Sequence, residues 1–139
     1  MKEICSKDIN VGDEMPRLVK DPVTHMQLVR YAGASGDFNP LHVDPEAGKA
    51  VGLGQIAHGM LVMGFVGQAI TNWIPQKYIR KFSVRFAGVT NIGDVITVSG
   101  KVVDKKQEAE HQVIRCEVVA KNQKDGLVVA GQFEASLPN

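Results

Sequence analysis

From Lys81 onward the chain alternates with a period of two. Phe82, Val84 and Phe86 share one face of an extended segment, and Lys81, Ser83 and Arg85 share the other. Ile96, Val98 and Val102 resume the pattern after the turn formers Asn91-Ile92-Gly93-Asp94, and Ile114, Cys116, Val118 and Ala120 carry it through a third strand. Asp125-Gly126 is a hairpin signal, followed by a fourth strand through Leu127, Val129, Gly131, Phe133 and Ala135. The first half keeps a helical period instead. Thr24 and Gln27 have capping-box spacing, Leu28, Tyr31 and Ala32 form one apolar face, and Gly33 and Gly36 stop the helix near residue 34. A strand over 14–20 precedes it, and Pro16 places that strand at a sheet edge. Residues 36–45 read as loop, with a short helix over 45–51 that has Pro45 in its first turn.

The segment between Lys49 and Lys77 contains no Asp, Glu, Lys or Arg. Its strongly apolar part, 60–70, falls short of the roughly 20 residues that cross a bilayer. The pattern predicts instead a helix from His58-Gly59 to about Asn72, apolar on all sides and therefore enclosed by protein. Gly64 and Gly67 each cost such a helix about 1 kcal/mol, which suggests that a sheet approaches its backbone closely. The expectation is an α+β fold in one domain over 1–139: a curled antiparallel sheet wrapped around a central enclosed helix.

With 139 residues, the chain can bury a core without disulfides or metals. Sixteen Lys and Arg against fifteen Asp and Glu leave a formal charge of +1, too balanced for a protein that lives on phosphate backbones, so nucleic acid is not an expected partner. Cys5 and Cys116 match no metal spacing and read as reduced thiols of a cytoplasmic protein. The first eight residues mix charged and apolar side chains without the apolar run of a secretory leader, so none is expected.

The densest group of functional side chains runs from Tyr31 to Asp44. Asp37 and His42, five apart (42 − 37), flank the turn formers Asn39-Pro40, so both side chains can point at one spot. A carboxylate and an imidazole around one water can divide acid and base duties near neutral pH. On spacing alone a second reading stands beside this one: Asp37 caps the turn through its own backbone and His42 is an ordinary satisfied polar residue. Ile56-Ala57-His58-Gly59-Met60 opens the apolar helix, where free N–H groups and the positive end of the dipole suit a carbonyl oxygen gaining charge. His42, Asp44 and His58 also invite a metal reading, but the spacing is weak and a fourth ligand is lacking, so no metal is expected.

Together these two stretches resemble the MaoC-like dehydratases, or (R)-specific enoyl-CoA hydratases. The shared residues are Tyr31, Ser35, Gly36, Asp37, Asn39, Pro40, Leu41, His42, Asp44 and Ile56 through Met60. One departure is Gly48, where the family often has Ala. The resemblance implies a hot-dog fold and a hydro-lyase that adds water reversibly to a trans-2-enoyl thioester of CoA or acyl carrier protein, with no cofactor. It implies Asp37 and His42 as the catalytic pair, Asn39 as the residue orienting them and the Gly59 N–H as the oxyanion donor. Phe38, Leu41, Met60, Met63 and Val62 are expected to wall an acyl slot, and Arg80, Lys81 and Arg85 to offer contacts for the phosphate-bearing arm. A homodimer is expected. Two competing readings are a non-catalytic hot-dog subunit that shapes a partner's acyl tunnel and an acyl-thioesterase.

Overall fold

The computed structural model describes residues 3–139. Met1 and Lys2, on which the leader expectation partly rests, lie outside the described residues. The strands are β1 (Glu14–Val19), β2 (Ile79–Phe86), β3 (Thr97–Glu108), β4 (His111–Lys121) and β5 (Leu127–Pro138); the helices are α1 (His25–Ser35), α2 (Pro40–Val43), α3 (Pro45–Ala50) and α4 (Gly59–Trp73). All five strands pair antiparallel in the order β1-β3-β4-β5-β2. The expected α+β architecture is therefore present. Its order has one feature that alternation alone did not disclose: residues 87–96 carry the chain from β2, at one edge, across to β3, so these consecutive strands are not neighbours.

The alternating residues leading into β3 and along β3, β4 and β5 mostly point inward, whereas Phe82 and Val84 on β2 are half-buried and Phe86 and Leu127 are exposed. Ile96, Val98, Val102, Ile114, Cys116, Val118, Ala120, Val129, Phe133 and Ala135 are all buried. β1 lies at the edge where Pro16 places it, and its register shifts between Met15 and Leu18. A row of partners crosses the sheet from Met15 through Gly100, Val118 and Gly131 to Val84. Both glycines in that row lack space for a side chain. A Cβ on Gly131 would lie 2.2 Å from the Ser83 carbonyl oxygen, and one on Gly100 would lie 3.0 Å from that of Glu117. Glycine in a strand interior lets the backbones close up and the sheet bend.

Helix α4 packs against β1, β3 and β4. Its buried residues are Val62, Phe65, Val66, Ala69 and Ile70, whereas Met60 is 56% exposed and Gly64 and Gln68 are also open. Within one chain the sheet thus embraces one side of the helix, and the all-round apolar surface read from the sequence is only partly covered. The expected close approach at Gly64 and Gly67 is absent as well. A Cβ on Gly64 would meet nothing within 4 Å, and one on Gly67 would make ordinary contact with Phe82 at 3.7 Å. The tight glycine is Gly59, where a Cβ would stand 3.1 Å from the Phe86 ring.

Helix α1 starts at Thr24, whose hydroxyl accepts from the Gln27 N–H, and stops at Gly36 in the left-handed region with φ 76°. Leu28 and Ala32 fill the buried face as expected. Residues 40–43 form a helical turn rather than loop, because Asn39 caps it and Pro40 sits in its first turn. Among the described residues, no helix is long and apolar enough to cross a membrane.

Candidate active site

Side chains bonding the backbone two residues ahead build the bend after α1. Ser35 Oγ accepts from the Asp37 N–H at 3.2 Å, Asp37 Oδ1 from the Asn39 N–H at 3.2 Å, and Asn39 Oδ1 from the Leu41 N–H at 3.0 Å. Asp44 Oδ1 repeats the device on the Glu46 N–H at 3.0 Å, which starts α3. Such local bonds are the reason Ser, Asp and Asn make turns. They also leave Asp37 Oδ2 free of the turn. That oxygen stands 3.7 Å from His42 Nε2. Asp37 therefore does both things that its spacing left open, capping the turn with one oxygen and facing the imidazole with the other.

His42 is held from behind. Its Nδ1–H donates to the Ile56 carbonyl at 2.9 Å, and the Ile56 N–H donates back to Leu41 O at 3.1 Å. A carbonyl only accepts, so Nδ1 carries the hydrogen and the neutral ring presents a lone pair at Nε2, toward Asp37. The His42 side chain is 13% exposed and that of Asp37 is 54% exposed, an arrangement that admits water to one side of the pair.

His58 is the third member of the cluster. It is 2% exposed, and its ring stacks on His42 at 4.0 Å between centroids with 24° between planes. Tyr31 meets it edge-on at 4.7 Å. Its Nε2–H donates to the Asp37 carbonyl at 3.0 Å, which leaves Nδ1 buried without a partner among the described residues. Sequence reasoning noted His58 only as the start of α4 and as a weak ligand. Asp37, His42 and His58 offer ligand atoms within 4.8 Å of one another, but the two imidazoles meet face to face, whereas ligation uses ring edges. Asp44, the sequence candidate for that group, lies outside the cluster and caps α3.

Gly59 opens α4, an end no side chain caps, so its first-turn N–H groups are not spent on a neighbouring hydroxyl or carboxylate. Between His42 and Gly59 lies a cavity of about 180 Å³ whose apolar lining includes Val62, Phe86, Val89, Val128 and Val129. Of the side chains expected to wall an acyl slot, only Val62 does so. Phe38 and Met60 are exposed, Leu41 and Met63 are half-buried, and none of these four lines the cavity. The wall comes instead from β2, β5 and the segment after β2. Of the three basic residues on β2, Arg80 is engaged with Glu108 at 3.4 Å, while Lys81 and Arg85 are exposed.

A compressed loop explains the departure at Gly48. A Cβ there would stand 1.7 Å from Gly54 O, because residues 51–54 fold back onto α3 and the N–H groups of Val51, Leu53 and Gly54 all donate to the Gly48 carbonyl. This fold-back delivers Ile56 to His42.

Residues 9–124 match the family model described as the MaoC like domain. The chain belongs to the MaoC-like family. The R-hydratase PhaJ1 from Pseudomonas aeruginosa in its unliganded form superposes with a TM-score of 0.85 at 26% identity, over 99% of this chain and 87% of that one. This places the MaoC-like chain in the hot-dog fold. The mitochondrial 3-hydroxyacyl-[acyl-carrier-protein] dehydratase of Arabidopsis thaliana is 30% identical over 111 residues, covering 78% of this chain and 67% of that protein. Fatty acid synthase subunit beta of Gibberella zeae is 35% identical over 118 residues, which is 81% of this chain but spans only 6% of that subunit.

Proposed function

We propose that this chain is a hydro-lyase, an (R)-specific enoyl-CoA hydratase or (3R)-3-hydroxyacyl thioester dehydratase, which adds water reversibly to a trans-2-enoyl thioester. The observation that carries this reading is the pair formed by Asp37 Oδ2 and His42 Nε2, 3.7 Å apart, with His42 lining the same cavity as Gly59. A water seated beside the pair can donate to both the carboxylate oxygen and the imidazole lone pair at that separation. Attack of its oxygen on the β-carbon forms the C–O bond and shifts the double-bond electrons toward the thioester carbonyl. The Gly59 N–H stabilises that charge, at about 3 kcal/mol for one such donor. The water's proton passes into the pair, and the pair returns a proton to the α-carbon on the same face, so atoms balance and addition is syn. Asn39 acts by fixing the turn that aims Asp37. One sheet over one core supports treating residues 1–139 as one domain of this kind. Two free thiols suit a cytoplasmic setting.

The test is to mix purified protein with crotonyl-CoA while following enoyl absorbance and thiol release together. Loss of the enoyl signal without thiol is the expected result. Thiol release would identify a thioesterase instead, and no change in either signal would leave a non-catalytic acyl-binding subunit.

A further inference from the structure

The acid–base pair and the oxyanion donor come from different elements. Asp37 and His42 belong to the bend and helical turn after α1, whereas Gly59 opens α4. Hydration needs them at fixed separations, since misplacing a reacting group by roughly 1 Å costs on the order of 100-fold in rate. One buried titratable side chain that the chemistry does not use touches both elements. His58 is 2% exposed and does not line the cavity, so it stands clear of the substrate. Its Nε2–H donates to the Asp37 carbonyl at 3.0 Å, its face covers the His42 ring at 4.0 Å, and Tyr31 meets it edge-on at 4.7 Å.

These contacts come at a cost, because His58 Nδ1 is buried with no hydrogen-bond partner among the described residues. An unpaired buried acceptor weighs against folding, and such groups are rare. The two contacts account for keeping it. Phenylalanine would leave no orphan nitrogen but could not donate to the Asp37 carbonyl, and glutamine could donate but has no ring to stack. Among side chains of this size, histidine alone does both. The stacking adds what the Ile56 carbonyl does not supply. That carbonyl holds one atom of His42, Nδ1, about which the imidazole can still turn. A ring laid on its face fixes the plane, and with it the direction of the Nε2 lone pair.

Resting on the hydratase reading above, we propose that His58 is a positioning residue for the hydration: its ring sets the plane of His42, and its bond to the Asp37 carbonyl holds the pair at a fixed distance from the Gly59 N–H, one residue along.

Two variants separate the two contacts. His58→Gln keeps a donor for the Asp37 carbonyl and removes the ring, and His58→Phe keeps a ring and removes the donor. In crotonyl-CoA hydration each is expected to lower kcat per folded molecule about tenfold, the scale of one neutral hydrogen bond or one aromatic pair. KM is expected to stay unchanged, because His58 does not touch the substrate. The ring-proton resonances of His42 are expected to move in His58→Gln, where nothing aromatic shields them, and to stay near their wild-type positions in His58→Phe. Unchanged kcat per folded molecule in either variant overturns the proposal. A loss confined to KM does so too, since it would set His58 against the substrate, as do His42 resonances that His58→Gln leaves in place. The wild-type protein supplies a check that needs no variant: long-range nitrogen–proton spectra are expected to show His58 protonated at Nε2 alone, and a proton on Nδ1 instead would remove the bond to Asp37 and the proposal with it. Failure of the wild-type protein to hydrate crotonyl-CoA overturns the hydratase reading, and the resonance measurements then decide the placement of His58 by themselves.

Discussion

The chemistry at the bend depends on single atoms. Ile56 O decides which nitrogen of His42 carries hydrogen, and Asn39 N decides which oxygen of Asp37 is tied down. Asp37→Asn keeps an oxygen for the Asn39 N–H but replaces the carboxylate that faces His42, and His42→Ala removes the ring. Each is expected to slow crotonyl-CoA hydration by at least about 100-fold, the lower end for one acid–base group, with an unchanged circular dichroism spectrum; near wild-type turnover in either would refute the pair. Spacing was enough to bring these two residues together on paper. It was not enough for His58, whose stacking on His42 requires the bend to fold across the start of α4, a contact spanning 21 positions through its bond to Asp37 O. A different residue contributes to the pH dependence of the fold on the alkaline side. Burial pushes the Cys116 thiol from 9.0 up to about 12. Above pH 9 the unfolded chain ionises there while the folded one does not, so proton loss favours unfolding and stability falls as pH rises toward 12. Urea midpoints measured between pH 8 and 11 are expected to drop, and Cys116→Ala is expected to flatten that slope even though it lowers the midpoint at pH 8.

Among the elements, those with a long period were legible and those made by crowding were not. Alternation located the last four strands, and capping located the ends of α1, because each strand or helix declares its own repeat over many residues. The turn over 40–43 was missed since four residues carry no period, and the sheet order was missed since β2 pairs with β5 across more than forty intervening positions. Glycines were the hardest to read. Gly64 and Gly67 drew attention by sitting in an apolar helix yet face open space or an ordinary contact, whereas Gly48, Gly100 and Gly131 are hemmed in by backbone that lies far away in sequence or folds back unseen. Gly48 shows how such crowding reaches the site, because the loop it accommodates carries the carbonyl that orients His42. Gly48→Ala forces a methyl into Gly54 O and is expected to destabilise the protein by about 3 kcal/mol, the upper range for overpacking. It should also lower kcat under conditions where the variant stays folded. Wild-type thermal stability in this variant would mean that the loop can lift without cost.

For the whole molecule, the decisive surface is the side of α4 that the sheet leaves bare. Met60, Gly64 and Gln68 are open there, Phe86 and Val89 add exposed apolar area at the cavity, and Phe38 is exposed as well. β2 ends the sheet beside them, with no strand among the described residues on its outer side. An apolar helix face next to a free strand edge is the surface that a second copy would cover, since burial removes the apolar area from water and pairing satisfies the edge. We expect a homodimer whose interface of about 800 Å² per partner includes Gly64, where the absence of a side chain lets another backbone come near. That would give the helix the enclosure its all-round apolar sequence implies. It would also give Phe38 and Met60, which lie off the cavity within one chain, a route to line the slot of a pair. Light scattering should return about twice 15.1 kDa for the wild-type protein. Gly64→Arg places a charged chain at the contact without disturbing the buried side of α4, and is expected to give a folded monomer with much reduced hydration. A wild-type protein that stays monomeric at micromolar concentration while turning over crotonyl-CoA would show that one chain suffices. The bare face of α4 would then have to be explained by something other than a second copy.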